Sequence, residues 1–174
     1  MYRLARPSDL DAICAIYEAV HDEEEAGRTT IGWVRSIYPT RATVELGLSC
    51  GDLFVLEKDG EILAAARINQ VQGEEYKQAV WSFEAEDSKV MVLHTLAVHP
   101  KYFGQGLGSG FVAFYEGYAA QQGCTCLRMD TNVRNTPART LYKKLGYTEA
   151  GVVPCRFNGI DGVQLVCLEK KLEQ

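Results

Sequence analysis

The chain has 174 residues, of which 47% are hydrophobic and 24% are charged, so it can bury a substantial core and is predicted to form one domain over residues 1–174. Its formal net charge of −5 argues against general nucleic-acid binding, which needs a basic surface. The sequence has no run of about 18 apolar residues, so we expect a cytoplasmic protein that does not act at a membrane.

The six cysteines are scattered along the chain and form no C-x-x-C pair. Cys124 and Cys126 would lie on one side of a strand if that strand begins there. The three histidines are not spaced from a cysteine pair as zinc ligands would be. We therefore expect reduced thiols and no metal site.

The N-terminal third is predicted to be mainly helical after a first strand at residues 2–5. Ser8 is expected to cap a helix that buries an apolar stripe. The charged run at residues 21–25 is expected to face solvent, although it could also attract a cationic substrate. Residues 29–38 are predicted to form a second helix that ends at Pro39, and residues 43–48 a short third one.

Two apolar runs, residues 53–57 and 62–68, flank Asp59 and Gly60, which predicts a β-hairpin. Residues 70–88 are polar and are predicted to form a long loop. Glu84 and Glu86 in this loop could face a substrate, but a solvated position is favoured.

A third strand pattern, Val90–Val98, leads into four glycines that alternate with other residues. Period two would place Val92, His94 and Leu96 on one face of that strand. The glycine turn precedes a helix, and the free N–H groups of a helix N-terminus attract anions, so we expect an anion site at residues 105–109. The turn lacks the Lys-Ser/Thr of a P-loop and the third glycine of a dinucleotide fingerprint, and a tight turn without a ligand is the alternative.

The remaining chain is predicted to add a strand at residues 126–131, a helix capped by Thr136 and ended by Gly146, and two strands at 148–154 and 163–171. On that helix Ala138, Leu141 and Leu145 would form the buried stripe, and Tyr142 would lie at its edge. Turns within residues 157–162 would join the last two strands.

Two linked motifs carry a resemblance to a known family. Leu96-Ala97-Val98-His99-Pro100 is followed by a glycine turn, and Asn135-x-x-Ala138-x-x-Leu141-Tyr142-x-x-Leu145-Gly146-Tyr147 comes later; together they span about a third of the chain. They resemble the fourth strand, pyrophosphate loop and following segment of the GNAT superfamily of acyl-CoA-dependent N-acetyltransferases. The resemblance implies an α/β fold with a mixed, mostly antiparallel sheet, a splayed fourth and fifth strand, and flanking helices.

The same resemblance implies that acetyl-CoA is the acyl donor. The backbone of Leu96, Ala97 and Val98 would pair with the pantetheine arm, and Asn135 would hydrogen-bond the pantetheine amides. The pyrophosphate would lie in the turn formed by Gly104, Gln105, Gly106, Leu107, Gly108 and Ser109. Phe103 stands where the family turn usually has Arg or Gln, so one polar side-chain contact is absent.

Tyr142 would protonate the departing CoA thiolate by this resemblance, with a packing role as the alternative. His94 is similar to a histidine that helps to remove the amine proton in serotonin-type arylalkylamine N-acetyltransferases. Many family members use a glutamate near the start of this strand, where this chain has Val92. His94, or a water relayed from it, is therefore the predicted base, and a structural core histidine is the alternative.

The resemblance also places Trp33 and Tyr38 in the region that lines the acceptor pocket, although packing explains large aromatic residues as well. The predicted function is transfer of an acetyl group to a primary amine of a small molecule or peptide by direct attack in a ternary complex. The alternatives are a catalytically silent acyl-CoA-binding sensor or interaction module, and an enzyme that uses a longer acyl donor. Family members are often dimers, so a homodimer is possible.

Overall fold

The computed structural model describes residues 1–172. Within that range the chain forms four α-helices: α1 (Leu10–Glu25), α2 (Arg41–Cys50), α3 (Leu107–Gln121) and α4 (Thr136–Lys144). It also forms seven strands: β1 (Tyr2–Leu4), β2 (Leu53–Lys58), β3 (Glu61–Asn69), β4 (Val90–Val98), β5 (Cys126–Asn132), β6 (Thr148–Phe157) and β7 (Ile160–Lys171). None of the helices in residues 1–172 is long and apolar enough to span a bilayer.

The strands form one mixed sheet in the order β1-β2-β3-β4-β5-β7-β6. β4 and β5 run parallel, and every other neighbouring pair is antiparallel. The β2–β3 hairpin turns at Asp59 and Gly60, both with positive φ. The predicted mixed, mostly antiparallel sheet with flanking helices is confirmed.

The two faces of the sheet are covered differently. Helices α3 and α4 bury one face around Phe111, Tyr115 and Tyr142. On the other face, α1 and α2 cover the N-terminal half of the sheet around Tyr17 and the neighbouring apolar side chains of Ile13, Ile16 and Val44. The segment 70–89, which contains short 3-10 turns, covers the C-terminal half of that face through Tyr76 and its neighbours.

The predicted helix at residues 29–38 is wrong, because these residues form an irregular loop with one isolated bridge between Val34 and Tyr38. Gly32 adopts φ +84°, which a helix does not allow. The Glu24 carboxylate accepts hydrogen bonds of 2.8 Å from the backbone N–H groups of Ile31 and Gly32. A contact from outside the segment therefore overrides its apolar pattern.

The two predicted helix caps are also wrong, each by one residue. A 3-10 turn, Pro7–Asp9, precedes α1, so the N-cap residue of α1 is Asp9, whose carboxylate accepts from Arg6 N at 2.7 Å in that turn and does not cap α1. At α4 the cap is Asn135, whose Oδ1 accepts from Ala138 N at 3.3 Å. At α4 an amide therefore takes the place of the predicted Thr136 hydroxyl, and Asn caps a helix as well as Ser or Thr does.

The bounds of one further helix need correction, and the condition set for Cys124 and Cys126 is not met. The short helix predicted at 43–48 extends over Arg41–Cys50 and ends at Gly51, which adopts φ +67°. Cys124 precedes β5 and packs on the α3/α4 face, whereas Cys126 packs on the opposite face. All six cysteines are free thiols.

On α4, Tyr142 is the buried residue at 7% exposure, rather than an edge residue beside the stripe formed by Ala138, Leu141 and Leu145. These three side chains are only partly buried and pack against the same core.

Candidate active site

The parallel pairing of β4 and β5 stops halfway along the strands. It runs from Val90 opposite Cys126 to Leu93 opposite Met129 and goes no further. Beyond that point β4 remains paired with β3 and β5 remains paired with β7. The fourth and fifth strands therefore splay apart, as predicted, and the backbone of β4 from His94 onward presents a free edge to β5.

A bulge in β4 accompanies the splay. Thr95 has φ +53°, and Thr95 and Leu96 together lie opposite the single residue Ala66. The extra residue reverses the alternation of faces, so Leu96 packs on the α3/α4 face while Val92 packs on the other. The expectation that Val92, His94 and Leu96 share one face is wrong for Leu96.

A cavity of about 600 Å³ occupies the gap between the splayed strands. Its lining includes Tyr142, from the α3/α4 core, and Tyr76, from the core on the opposite face. Both sheet faces contribute to one cavity, so it passes through the sheet where the β4–β5 ladder has ended. Two ligands that approach from opposite faces could meet there.

The glycine turn lies between β4 and α3. Gly104 and Gly106 have φ of 76° and 77°, a conformation that L side chains rarely adopt, and Gly106 is the N-cap of α3. The first intrahelical bond runs from Gly110 N to Gly106 O at 3.0 Å. The N–H groups of Leu107, Gly108 and Ser109 therefore have no acceptor within the helix and are suited to a pyrophosphate. The donor set fits this part of acetyl-CoA.

The other residues predicted to contact the cofactor differ in which of their groups remain accessible to a ligand. The side chain of Ala97 is 2% exposed and packs towards α1, which leaves its backbone as the contact. Asn135 lines the cavity, but its Oδ1 caps α4 and its Nδ2 donates to Thr131 Oγ1 at 3.0 Å. The exposed side chains of Gln105 and Phe103 (45% exposed) lie on the turn itself.

Tyr142 reaches the cavity with its hydroxyl free. Burial raises the pKa of this phenol well above its usual range, and no hydrogen bond within residues 1–172 contributes to that shift. Its ring packs edge-on to Tyr147, with the ring centroids 6.1 Å apart. The side chain is therefore fixed in place and protonated at neutral pH, as a proton donor must be.

His94 also lines the cavity and belongs to an ordered polar network. Asn69 Oδ1 accepts from Val71 N at 2.9 Å while its Nδ2 donates to Asp52 at 2.7 Å, which fixes the orientation of the amide. His94 Nε2 lies 3.0 Å from that Oδ1, so Nε2 carries the proton and Nδ1 is the basic nitrogen. Burial, assisted by the nearby Arg67 guanidinium, lowers the pKa of His94 to about 4.

The predicted acceptor residues Trp33 and Tyr38 line the same cavity, on the loop of residues 26–40. Their rings meet edge-on, with the centroids 6.4 Å apart. The Tyr38 hydroxyl hydrogen-bonds Thr95 at the β4 bulge, and burial raises the pKa of Tyr38 to about 12. Phe157, at the β6–β7 turn, closes another side of the cavity.

Glu84 and Glu86 are exposed and do not line the cavity. Three groups escaped sequence analysis: Asp130 and Glu75, which line the cavity, and Glu24, which holds the 26–40 loop. Asp130 is a polar residue that follows four buried positions on β5, and this was the signal available in the sequence. No group of three or more potential metal ligands assembles within residues 1–172.

Comparison with known proteins identifies the family. The family model for the acetyltransferase (GNAT) family matches residues 14–147. An uncharacterised N-acetyltransferase of Bacillus subtilis (strain 168), YesJ, is 27% identical over 101 residues, which are 58% of this chain. The match spans only 55% of that relative, about half of its length.

Solved structures agree over nearly the whole chain. A GNAT-family acetyltransferase from Streptococcus agalactiae 2603 superimposes with a TM-score of 0.82 at 25% identity, covering 100% of this chain and 96% of that one. The YncA protein of Salmonella typhimurium, solved with its cofactor acetyl-CoA, gives a TM-score of 0.70 at 17% identity over 100% of this chain and 94% of that one. The chain belongs to the acetyltransferase (GNAT) family.

Proposed function

We propose that this chain transfers an acetyl group from acetyl-CoA to a primary amine of a small molecule or peptide, by direct attack in a ternary complex. The observation that carries the proposal is the cavity through the sheet, which brings a free tyrosine hydroxyl from one face together with His94 and Asp130 from the other. Family membership and the acetyl-CoA bound by the Salmonella YncA protein support the choice of donor.

Different residues of the chain would bind the donor, bind the acceptor and donate the proton. The free edge of β4 from Leu96 to Val98 and the α3 N-terminus would hold the pantetheine arm and the pyrophosphate of acetyl-CoA, which supplies the activated acetyl group. Trp33 and Tyr38 would line the space for the acceptor. Tyr142 would give its phenolic proton to the leaving thiolate.

The proposed role of His94 as base has a clear physical consequence. A pKa near 4 keeps its imidazole neutral at pH 7, which is the form that accepts a proton. The same low pKa makes it a weak base, because its place in the cavity lowers its proton affinity. His94 Nδ1 remains suited to accept a hydrogen bond from the amine nitrogen.

The first experiment is thermal melting with acetyl-CoA, free CoA and a longer acyl-CoA. A ligand that binds only the folded chain raises the melting temperature as its concentration exceeds Kd. We expect the largest shift with acetyl-CoA; a larger shift with the longer donor would indicate a longer-chain acyltransferase. No shift with any of the three, confirmed by direct binding, would reject the enzyme proposal.

The second experiment measures release of the CoA thiol across a panel of amines for the wild type and Tyr142→Phe. We expect Tyr142→Phe to lower kcat by about 100-fold or more, within the range of general acid catalysis, while the acetyl-CoA melting shift persists. Tyr118→Phe, on α3 and away from the cavity, is the matched control and should retain full rate. A sensor would bind the donor but show no turnover to lose.

A further inference from the structure

Asp130 stands on β5 immediately after the last residue paired with β4, and it lines the cavity between the two strands. One carboxylate oxygen accepts a hydrogen bond of 2.7 Å from the Tyr76 hydroxyl. Within residues 1–172 the carboxylate has no other hydrogen-bond donor and no ion pair. The second carboxylate oxygen therefore has no hydrogen-bond partner within residues 1–172, and the residue lines the cavity.

Among residues 1–172, no cation in the cavity lining compensates this carboxylate. Arg67 is the positively charged residue in the lining, but its guanidinium donates to both oxygens of Asp52, at 2.8 and 2.7 Å. Glu75, the neighbour of Tyr76, adds a second carboxylate to the lining. An enclosed carboxylate without a cation is costly, and a positively charged ligand removes that cost.

We infer that Asp130 binds the ammonium group of the acceptor amine and takes a proton from it before the nitrogen attacks the thioester. The inference rests on the proposed function and assigns to it a residue that contacts the substrate. Tyr76, fixed by packing against Trp81 with ring centroids 5.3 Å apart, positions the carboxylate.

The acid–base properties of the site agree with this role. Burial raises the pKa of Asp130 to about 7, with Glu75 acting in the same direction and the Tyr76 hydrogen bond opposing it. A base is most effective when its pKa lies near the working pH, and Asp130 meets this condition better than His94. The other titratable groups around the cavity or within electrostatic reach of Asp130 are Tyr38, Arg67, His94, Tyr142, Cys155 and Cys167.

The lining also defines the class of acceptor. Trp33, Tyr38 and Phe157 provide apolar aromatic surface. Asp130 and Glu75 would repel a carboxylate on the acceptor, and Arg67 is already paired with Asp52. The preferred acceptor is therefore a primary alkylamine with an apolar or aromatic body and no carboxylate beside the nitrogen.

The proton balance of the step is complete. The ammonium nitrogen loses one proton to Asp130, then forms the N–C bond as the C–S bond breaks. The nitrogen loses its second proton after attack, and this proton replaces the one that Tyr142 gives to the departing thiolate. Asp130 returns its proton to solvent when the amide product leaves.

The test compares Asp130→Asn with the wild type, using 2-phenylethylamine and phenylalanine as probe acceptors. Asp59→Asn, in the exposed β2–β3 turn, is the matched control. Retention of the acetyl-CoA melting shift in Asp130→Asn shows that folding and the donor site are intact.

For the wild type, kcat/KM for 2-phenylethylamine should rise with pH through about 7 as Asp130 ionises. In Asp130→Asn this limb should disappear, and kcat/KM should fall by about 100-fold or more. The wild type should strongly prefer 2-phenylethylamine to phenylalanine. A merely structural role for Asp130 would not move the pH limb.

Three outcomes would overturn the inference while the acetyltransferase proposal stands: a retained pH limb in Asp130→Asn, loss of that limb in His94→Gln instead, or equal use of phenylalanine. If the wild type binds acetyl-CoA but acetylates no amine, ammonium recognition by Asp130 is tested separately. The measurement is then calorimetric binding of 2-phenylethylamine in the presence of CoA. Binding that Asp130→Asn abolishes then supports ammonium recognition, and unchanged or absent binding refutes it.

Discussion

Replacement of Glu24 by glutamine should disorder the 26–40 loop that carries Trp33 and Tyr38. The Glu24 carboxylate accepts three hydrogen bonds of 2.8 Å, from the Thr29 hydroxyl and from the backbone N–H groups of Ile31 and Gly32. Two of these three donors are backbone N–H groups of a loop, which has no helical hydrogen bonds to satisfy them. The carboxylate therefore satisfies backbone N–H groups that intrahelical hydrogen bonds would satisfy in a helix.

The size of the effect follows from the bonds that glutamine can keep. Its single amide oxygen can still accept from Thr29 and Ile31, but its NH2 group then faces the N–H of Gly32. One charge-assisted hydrogen bond is lost, a change of about 1.5–3 kcal/mol. Glu24 is only half-buried, so water recovers part of this, and we expect a loss of about 2 kcal/mol.

Two measurements check this value. A loss of about 2 kcal/mol should lower the melting temperature by about 4–8 °C. It should also raise the KM for the amine by up to about 30-fold while the acetyl-CoA melting shift is retained. The control is Glu23→Gln, because Glu23 pairs only with the exposed Arg28. An unchanged amine KM and melting temperature in Glu24→Gln would refute the reasoning.

Two further predictions concern the glycine turn and the N-terminal ion pair. Gly106→Ala places a side chain at φ +77°, where the added Cβ meets nothing within 4 Å. Backbone strain alone should therefore lower the free energy of unfolding by about 1–2 kcal/mol, measured by denaturant unfolding. The control Gly117→Ala, in the interior of α3 with equal space, should stabilise the protein instead. The Arg3 guanidinium, 2.7 Å from Asp9, lowers the pKa of that carboxyl below 3.8, so its stabilisation is present above about pH 4 and is lost as the pH falls further. Asp9→Asn should therefore melt below the wild type at pH 7, with a difference that shrinks below pH 4; a constant difference would contradict this.

The elements with local signals were predictable from the sequence. Asp59-Gly60 dictates a hairpin turn without help from distant residues. The strand, glycine turn and helix from Val90 onward are likewise specified by adjacent residues, and the resemblance of this order of parts to the GNAT family predicted the fold.

The errors arose where distant contacts decide the conformation. The 29–38 segment has helical apolar spacing, but Glu24, which lies outside it, holds it in another shape. The bulge at Thr95 reverses the faces of β4, and alternation alone cannot show an inserted residue. Asp130 is one acidic residue among many in the sequence, and only the fold shows that it is enclosed without a cation.

The short β4–β5 ladder divides the sheet into two half-sheets, β1-β2-β3-β4 and β5-β7-β6. Within the sheet, these halves are joined by four residue pairs at one end. Apart from this seam, the covalent link between the halves is the crossover that contains the glycine turn and α3. A ligand that lies along the free edge of β4 and is held by the α3 N-terminus would connect the two half-sheets at their open end. Binding of that ligand should therefore oppose the opening of the β4–β5 ladder. We expect the amide hydrogen exchange of this ladder to slow more than that of any other part of the backbone when the ligand binds.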